Sequence, residues 1–378
     1  MIYERSNNVE SIPDEEEDFY SEENPYETLS WGADLSFREL ITMFESGELI
    51  KPEIQRNYVW DKLEASRFIE SLLLGLPVPS IFLAKKADQK LIVDGFQRIM
   101  TVFDFTKGIF SKDGSIFKLS NTSKISSLWK GKSFSQLTES EQRRILSTTI
   151  HAIIFVDKKK ERKDSILYQV FERINSSGRT LAPQEIRNCI YQGKFNSLLI
   201  KLNKIPSWRK LYDSEIDSRM LDIEFILRFF TLSDEELLKK EINQISLKKE
   251  LNLCMGDESA NKIEILEKRE KDFANVMDFI LKNIGEKAFR NLSKTKEGII
   301  KEEKTLSTKF FPTVFDSISI ATLFALRKNS NIDVKELEKR RLDLLSDEKF
   351  IGYSTIRTTN IQNIRGRISL ALKYLYGM

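Results

Sequence analysis

Asp94-Gly95-Phe96-Gln97-Arg98 stands where an apolar run, Lys90 to Asp94, gives way to a helical pattern with Phe96, Ile99, Met100 and Phe103 on one face. Strand, glycine, helix is a layout that holds anions. The first-turn amides have no carbonyl partners and the helix dipole adds positive potential at that end. Gly95 brings no side chain to bar close approach, and Arg98 brings a planar, permanently charged fork suited to phosphate. Asp94 can hold a magnesium ion, directly or through water, or orient an attacking water, and Gln97 can position that water or a base. The same residues have a purely structural use. Asp94 can cap the helix and pair with Arg98 four residues on, a contact worth about 0.3–0.5 kcal/mol, with Gly95 a plain turn residue.

Two further clusters have the right residue types. In Pro52-Glu53-Ile54-Gln55-Arg56-Asn57-Tyr58-Val59-Trp60, Arg56 offers a second phosphate contact, and Gln55 or Tyr58 can touch a base or ribose. Alternatively Tyr58 and Trp60 fill core while Arg56 pairs with an acid. In Phe171-Glu172-Arg173-Ile174-Asn175-Ser176-Ser177-Gly178-Arg179, one helix ends and a tight polar turn begins. That turn either presents Asn175 and Arg179 to a bound nucleotide or only connects two helices. A metal-dependent nuclease would need a second acid beside Asp94, such as Glu53 or Glu70, to hold metal for attack on a phosphodiester.

The elements that must position these residues follow from pattern. A helix is expected from Ser36 to Phe44, with Phe37, Leu40, Ile41 and Phe44 at helical spacing and Gly47 ending it. Asp61-Lys62-Leu63-Glu64 fits a helix start in which Asp61 accepts from a free amide and Glu64 reaches back; that helix runs to about Leu74 and stops at Gly75. Pro77-Val78-Pro79 forces an extended exit into a strand over Ser80 to Ala84, and a second strand covers Lys90 to Asp94. A loop-rich insertion of about forty residues leads to a strand at Thr149 to Val156, and from Lys163 onward the chain reads as helical. The Lys/Glu-rich stretch from Asp234 to Lys304 is expected to be the solvated face of a bundle, and the last helix to lie near Asn360 to Tyr376. The fold class is therefore α+β. The expected division is an acidic disordered leader at 1–30, a mixed sheet and helix domain at 31–160 and a helical domain at 161–378.

Composition narrows the chemistry. The chain has 378 residues and one histidine, His151, which excludes histidine-metal nuclease sites, HNH-type domains and two-histidine zinc protease helices. His151 lies in Ile150-His151-Ala152-Ile153-Ile154-Phe155 and reads as a hydrogen-bonded strand residue. Cys189 and Cys254 are far apart without CxxC spacing, which points to buried core thiols and a reducing cytoplasm. The most apolar stretch, Ser71 to Ala84, is too short for a membrane span and is broken by Gly75, Pro77 and Pro79, and the first residues lack the order of an export signal. The net charge of +3 combines a leader of −9 (ten acids and one arginine in residues 1–30) with a body of +12. Such a body favours salt-sensitive binding of polyanions such as DNA; the leader either solubilises the chain or mimics a polyanion over a basic groove.

Taken in order, these residues carry a resemblance. Ile54-Gln55-Arg56 with Tyr58-Val59-Trp60, then Ile69-Glu70-Ser71-Leu72-Leu73-Leu74-Gly75 with Pro77-Val78-Pro79, then Asp-Gly-x-Gln-Arg, then Phe-x-Arg-Ile-Asn-x-x-Gly, resemble the family typified by the N-terminal domain of GmrSD-type modification-dependent restriction enzymes, within the ParB and sulfiredoxin-like superfamily. The helix Asp222-x-Glu224-Phe225-x-Leu227-Arg228-Phe229 is also similar to that family's helical part. The resemblance implies a small ParB-like sheet and helix domain that binds, and often hydrolyses, a nucleoside triphosphate with Mg2+, in defence against phage or other foreign DNA. Carried over, Gln55, Arg56, Asp94, Gly95, Gln97, Arg98 and Asn175 form the nucleotide site, Asp94, Gln97 and Arg98 its catalytic part, and Asp94 its metal contact. ATP, GTP and CTP are not distinguished. Phe96 stands where the family has glutamine, a departure that bears on hydrolysis but leaves the amides in place. The partners implied are DNA and a separate nuclease or defence protein, since a histidine-dependent nuclease domain is excluded here. Two other functions fit the same residues: a metal-dependent DNA endonuclease of ParB-like type, and a non-enzymatic DNA-binding adaptor.

Overall fold

The computed structural model describes residues 8–12, 28–51, 60–86, 88–157, 166–174, 181–293, 305–328 and 332–378. Chain contacts divide it into a unit of residues 25–180 with 188–190, and a unit of residues 1–24, 181–187 and 191–378.

The first unit is built on a five-stranded mixed sheet of order β1-β7-β3-β4-β2. Its strands are β1 (Thr28–Ser36), β2 (Leu49–Ile50), β3 (Ile81–Lys86), β4 (Gln89–Asp94) and β7 (Thr149–Asp157), with a separate hairpin of β5 (Ile109–Phe110) and β6 (Ser115–Ile116). β1 runs antiparallel to β7, β7 parallel to β3, β3 antiparallel to β4 and β4 parallel to β2. Three helices, α1 (Phe37–Glu45), α2 (Lys62–Leu74) and α3 (Phe96–Lys107), share a core with the sheet. Phe37 and Leu40 of α1, Ile69 and Leu72 of α2, and Ile99 and Phe105 of α3 meet Ile81, Leu83, Ile92, Ile150 and Ile154 there. Both helix starts follow from sequence. Ser36 and Glu39 close a capping box on α1, and at α2 the amides of Leu63 and Glu64 donate to Asp61 Oδ1 (2.8 and 2.7 Å) while Glu64 Oε2 accepts from the Asp61 amide (2.9 Å).

Within the insertion, a helix, α4 (Glu139–Ser147), starts from a third capping box, made by Thr138 and Glu141. Glu141 also accepts from Trp129 Nε1 at 2.7 Å, which ties the loop to the helix. A further helix, α5, covers Ile166–Ile174.

The second unit is helical apart from a hairpin of β8 (Arg290–Leu292) and β9 (Leu306–Phe310) that periodicity did not signal. The division passes through α6 (Pro183–Ile190). The unit continues with α7 (Lys194–Leu202), α8 (Pro206–Leu211), α9 (Leu221–Leu232), α10 (Glu235–Lys239), α11 (Leu247–Gly256) and α12 (Ile263–Asn283), then α13 (Pro312–Lys328), α14 (Leu337–Ser346), α15 (Glu348–Thr355) and α16 (Ile361–Tyr376). Its core holds an aromatic cluster of Trp208, Tyr212, Phe225, Phe310 and Phe315, in which the Phe225 and Phe310 rings lie 4.7 Å apart. Buried within it, Asp316 accepts from Arg228 Nε and Nη2 (2.7 and 2.6 Å) and from Arg367 Nη2 (3.2 Å).

The leader expected over 1–30 is structured in its described parts. Residues 28–30 begin β1, and residues 8–12 dock on the helical unit through a parallel bridge of Val9 with Phe310, with Val9 and Ile12 buried. The Glu10 amide donates to Phe310 O at 2.9 Å and the Phe310 amide to Asn8 O at 2.7 Å. Two buried apolar side chains outweigh the acidic average of the surrounding sequence. Among the described residues no helix is long and apolar enough to cross a membrane.

Candidate functional site

β4 delivers Asp94 to the end of the sheet, and the chain turns at Gly95 (φ +99°, ψ 3°) into α3. This left-handed turn favours glycine. Packing demands it too, for a Cβ on Gly95 would stand 2.2 Å from Ile81 Cγ2. The space that sequence reasoning left open to an anion on that side of Gly95 is therefore filled by β3. At the helix end itself the N-cap is Gly95, which offers no side chain to the first-turn amides of α3. Phe96 is buried in the core and takes no part in the surface of that turn.

Arg98 lies back along the sheet end. Its Nη2 donates to Asp94 Oδ2 at 2.5 Å and to the Ser80 carbonyl at 3.2 Å, while its Nε is buried without a partner among the described residues. The Asp94 side chain is 42% exposed and that of Arg98 16%, so the carboxylate faces solvent and the guanidinium is tucked beneath it. Gln97 Oε1 accepts from the Trp60 amide at 3.3 Å, and the Gln97 carbonyl accepts from Thr101 Oγ1 at 2.7 Å. The Trp60 contact ties the residue just before the Asp61 cap of α2 to the first turn of α3. Trp60 itself packs edge-on against Phe68 of α2, with ring centroids 5.5 Å apart.

The structure thus brings Asp94, Gly95, Gln97 and Arg98 together at one corner of the sheet. Gln55, Arg56, Glu53, Tyr58, Asn175 and Arg179 lie outside the described residues. Glu70, the described acid suggested as a second metal ligand, accepts from the Ser126 amide at 2.6 Å. Among the described residues no group of three or more His, Cys, Asp or Glu side chains could hold a metal ion. A lone half-exposed carboxylate does not make an all-protein metal site. It does suit a magnesium ion that arrives with triphosphate oxygens and keeps waters of its own.

The polar residues of the Asp222-x-Glu224 helix serve the interior. Asp222 accepts from Arg209 Nη1 (2.8 Å) and Asn203 Nδ2 (2.9 Å), Glu224 accepts from Arg187 Nη1 (2.8 Å), and Arg228 joins Asp316. His151 is hydrogen-bonded, as its strand setting suggested, but it is exposed: its Nδ1 lies 2.8 Å from Asp34 Oδ1 on β1. Its ring covers Gly32, where a Cβ would stand 2.6 Å from His151 Cε1. Sequence reasoning missed the Ser80 carbonyl, Ile81 and the Trp60 amide as neighbours of the corner. Only the i,i+4 spacing of Asp94 and Arg98 signalled any of its internal contacts.

No curated protein and no solved structure matches the chain. The family model described as GmrSD restriction endonuclease, N-terminal domain, matches residues 37–192, from the first residue of α1 through α2, the Asp94 corner, α3 and β7 to just beyond α6. The match covers less than half of the chain and places the corner near the middle of the matched stretch. Residues 37–192 are thus similar to the GmrSD-type N-terminal domain, the family that the motifs of the sequence resemble.

Proposed function

We propose that the protein is a GmrSD-type, restriction-like defence protein whose N-terminal domain binds a magnesium nucleoside triphosphate at the first turn of α3, hydrolyses it, and acts with the basic body of the chain on foreign DNA. One observation carries this reading: a helix end whose N-cap is glycine, with Asp94, Gln97 and Arg98 around it, inside the residues that match the family model. The free amides and the dipole favour the phosphates. Among the described residues Arg98 Nε has no partner, and Nη2 is held by the Ser80 carbonyl, so a phosphate oxygen can replace Asp94 as its acceptor. Asp94, released from that pair, is then free to take the ion or a water. Bound magnesium would screen the phosphate charge; the remaining binding falls to the chain's own amides and guanidinium.

The test is thermal unfolding with ATP, GTP and CTP, each with and without magnesium, at low salt. One nucleotide is expected to stabilise the protein by roughly 2.7 kcal/mol at a hundredfold excess over its dissociation constant. Arg98→Ala should abolish that shift while keeping the unliganded fold. Absence of stabilisation by all three nucleotides would refute the reading.

A second reading is favoured by one specific observation. Arg98 Nη2 already pairs with Asp94, and Gly95 is explained by Ile81, so these two residues have a structural use without a ligand. A DNA-binding adaptor without turnover would then show salt-sensitive DNA retention that no nucleotide alters.

A further inference from the structure

β1 is an edge strand of nine residues, and the strand at the opposite edge, β2, has two. Long open edges are normally protected by lysine, proline, a bulge or a covering element. β1 reads Thr-Leu-Ser-Trp-Gly-Ala-Asp-Leu-Ser, with neither lysine nor proline, and pairs with β7 without a register shift. Among the described residues its outer edge has no backbone partner. Its single charge, Asp34, is engaged sideways by His151 on β7.

The side chains alternate strictly. Leu29, Trp31, Ala33 and Leu35 share the face of Ile150, Ala152 and Ile154, the helix-covered core face, and the other face carries Ser30, Gly32, Asp34 and Ser36. The apolar stripe is unevenly covered. Ala33 and Leu35 pack against the core, whereas Leu29 is 48% and Trp31 38% exposed. Turned end for end about its midpoint, Gly32, the strand is complementary to itself. A two-fold axis there sets Leu29 opposite Leu35 of the second copy and Trp31 opposite Ala33, so each copy's covered half lies beside the other's exposed half. It also sets Ser30 opposite Asp34, so no like charges face each other.

We propose that two copies of this chain associate through antiparallel pairing of β1 with β1 about Gly32, which joins the two five-stranded sheets into one. Each β1 gains main-chain partners and the exposed ends of both apolar stripes are covered. A strand pair of this length falls below the roughly 1,200 Å² of a typical stable interface, so the dimer depends on concentration.

Sedimentation of the full chain from low micromolar to hundreds of micromolar is expected to pass from one-chain to two-chain mass. Trp31→Lys and Leu29→Lys, at exposed positions, should hold the protein at one-chain mass with thermal unfolding of the monomer unchanged. As an independent check, Ser30→Cys with Asp34→Cys places thiols too far apart to join within a strand but directly across the proposed pair. Mild oxidation should trap a covalent dimer that reduction releases. One-chain mass at every concentration without trapping would overturn the proposal, including in favour of an extended segment of another protein on this edge. A dimer that survives Trp31→Lys would overturn it as well.

Discussion

Gly95 has two independent reasons to be glycine: its φ of +99° and the Ile81 methyl 2.2 Å from where a Cβ would stand. Gly95→Ala is therefore expected to cost roughly 2–5 kcal/mol by urea unfolding, combining backbone strain with overpacking. A glycine needed only for close approach of a ligand would leave stability nearly unchanged and lose binding alone. The type and spacing of Asp94 and Arg98 made their 2.5 Å pair legible in the sequence. The Ser80 carbonyl and the Ile81 methyl were not legible, because they reach the corner through β3–β4 pairing and nothing local to residues 94–98 encodes that neighbour.

At the scale of elements, capping chemistry was the most readable signal. Asp61 and Glu64 form the predicted box at α2, and Asp61→Ala is expected to cost about 1 kcal/mol, measured as a shift in urea midpoint with unchanged slope. The strands expected at Ser80 to Ala84, Lys90 to Asp94 and Thr149 to Val156 appear within two residues of their predicted ends. β1 escaped because its alternating stripe begins in the acidic leader and ends at the cap of α1, where a helical pattern takes over. α4 escaped for a different reason. It buries only Ile145, so its apolar period is too sparse to stand out from a polar insertion.

At the scale of the molecule, the helical unit encloses a charge cluster that periodicity cannot reveal: one carboxylate, Asp316, between two arginines from distant helices. Asp316→Ala would remove the carboxylate that the buried Arg228 and Arg367 share and is expected to cost about 3–5 kcal/mol. Arg327→Ala, which breaks the more exposed pair with Asp272, should cost less than about 1 kcal/mol in the same denaturant series. If the two variants are equally mild, Asp316 is not the keystone its burial suggests.

The clip between Asn8–Ile12 and Phe310 also has a consequence in time. Its two sides are separated by about three hundred residues of chain, so on the ribosome the earlier-made side must wait for the later before either finds its mate. At cellular elongation speeds that delay is roughly fifteen to sixty seconds, during which Val9 and Ile12 have no home. Removal of Asn8–Ile12 would accordingly be felt as slower maturation of the structure around Phe310.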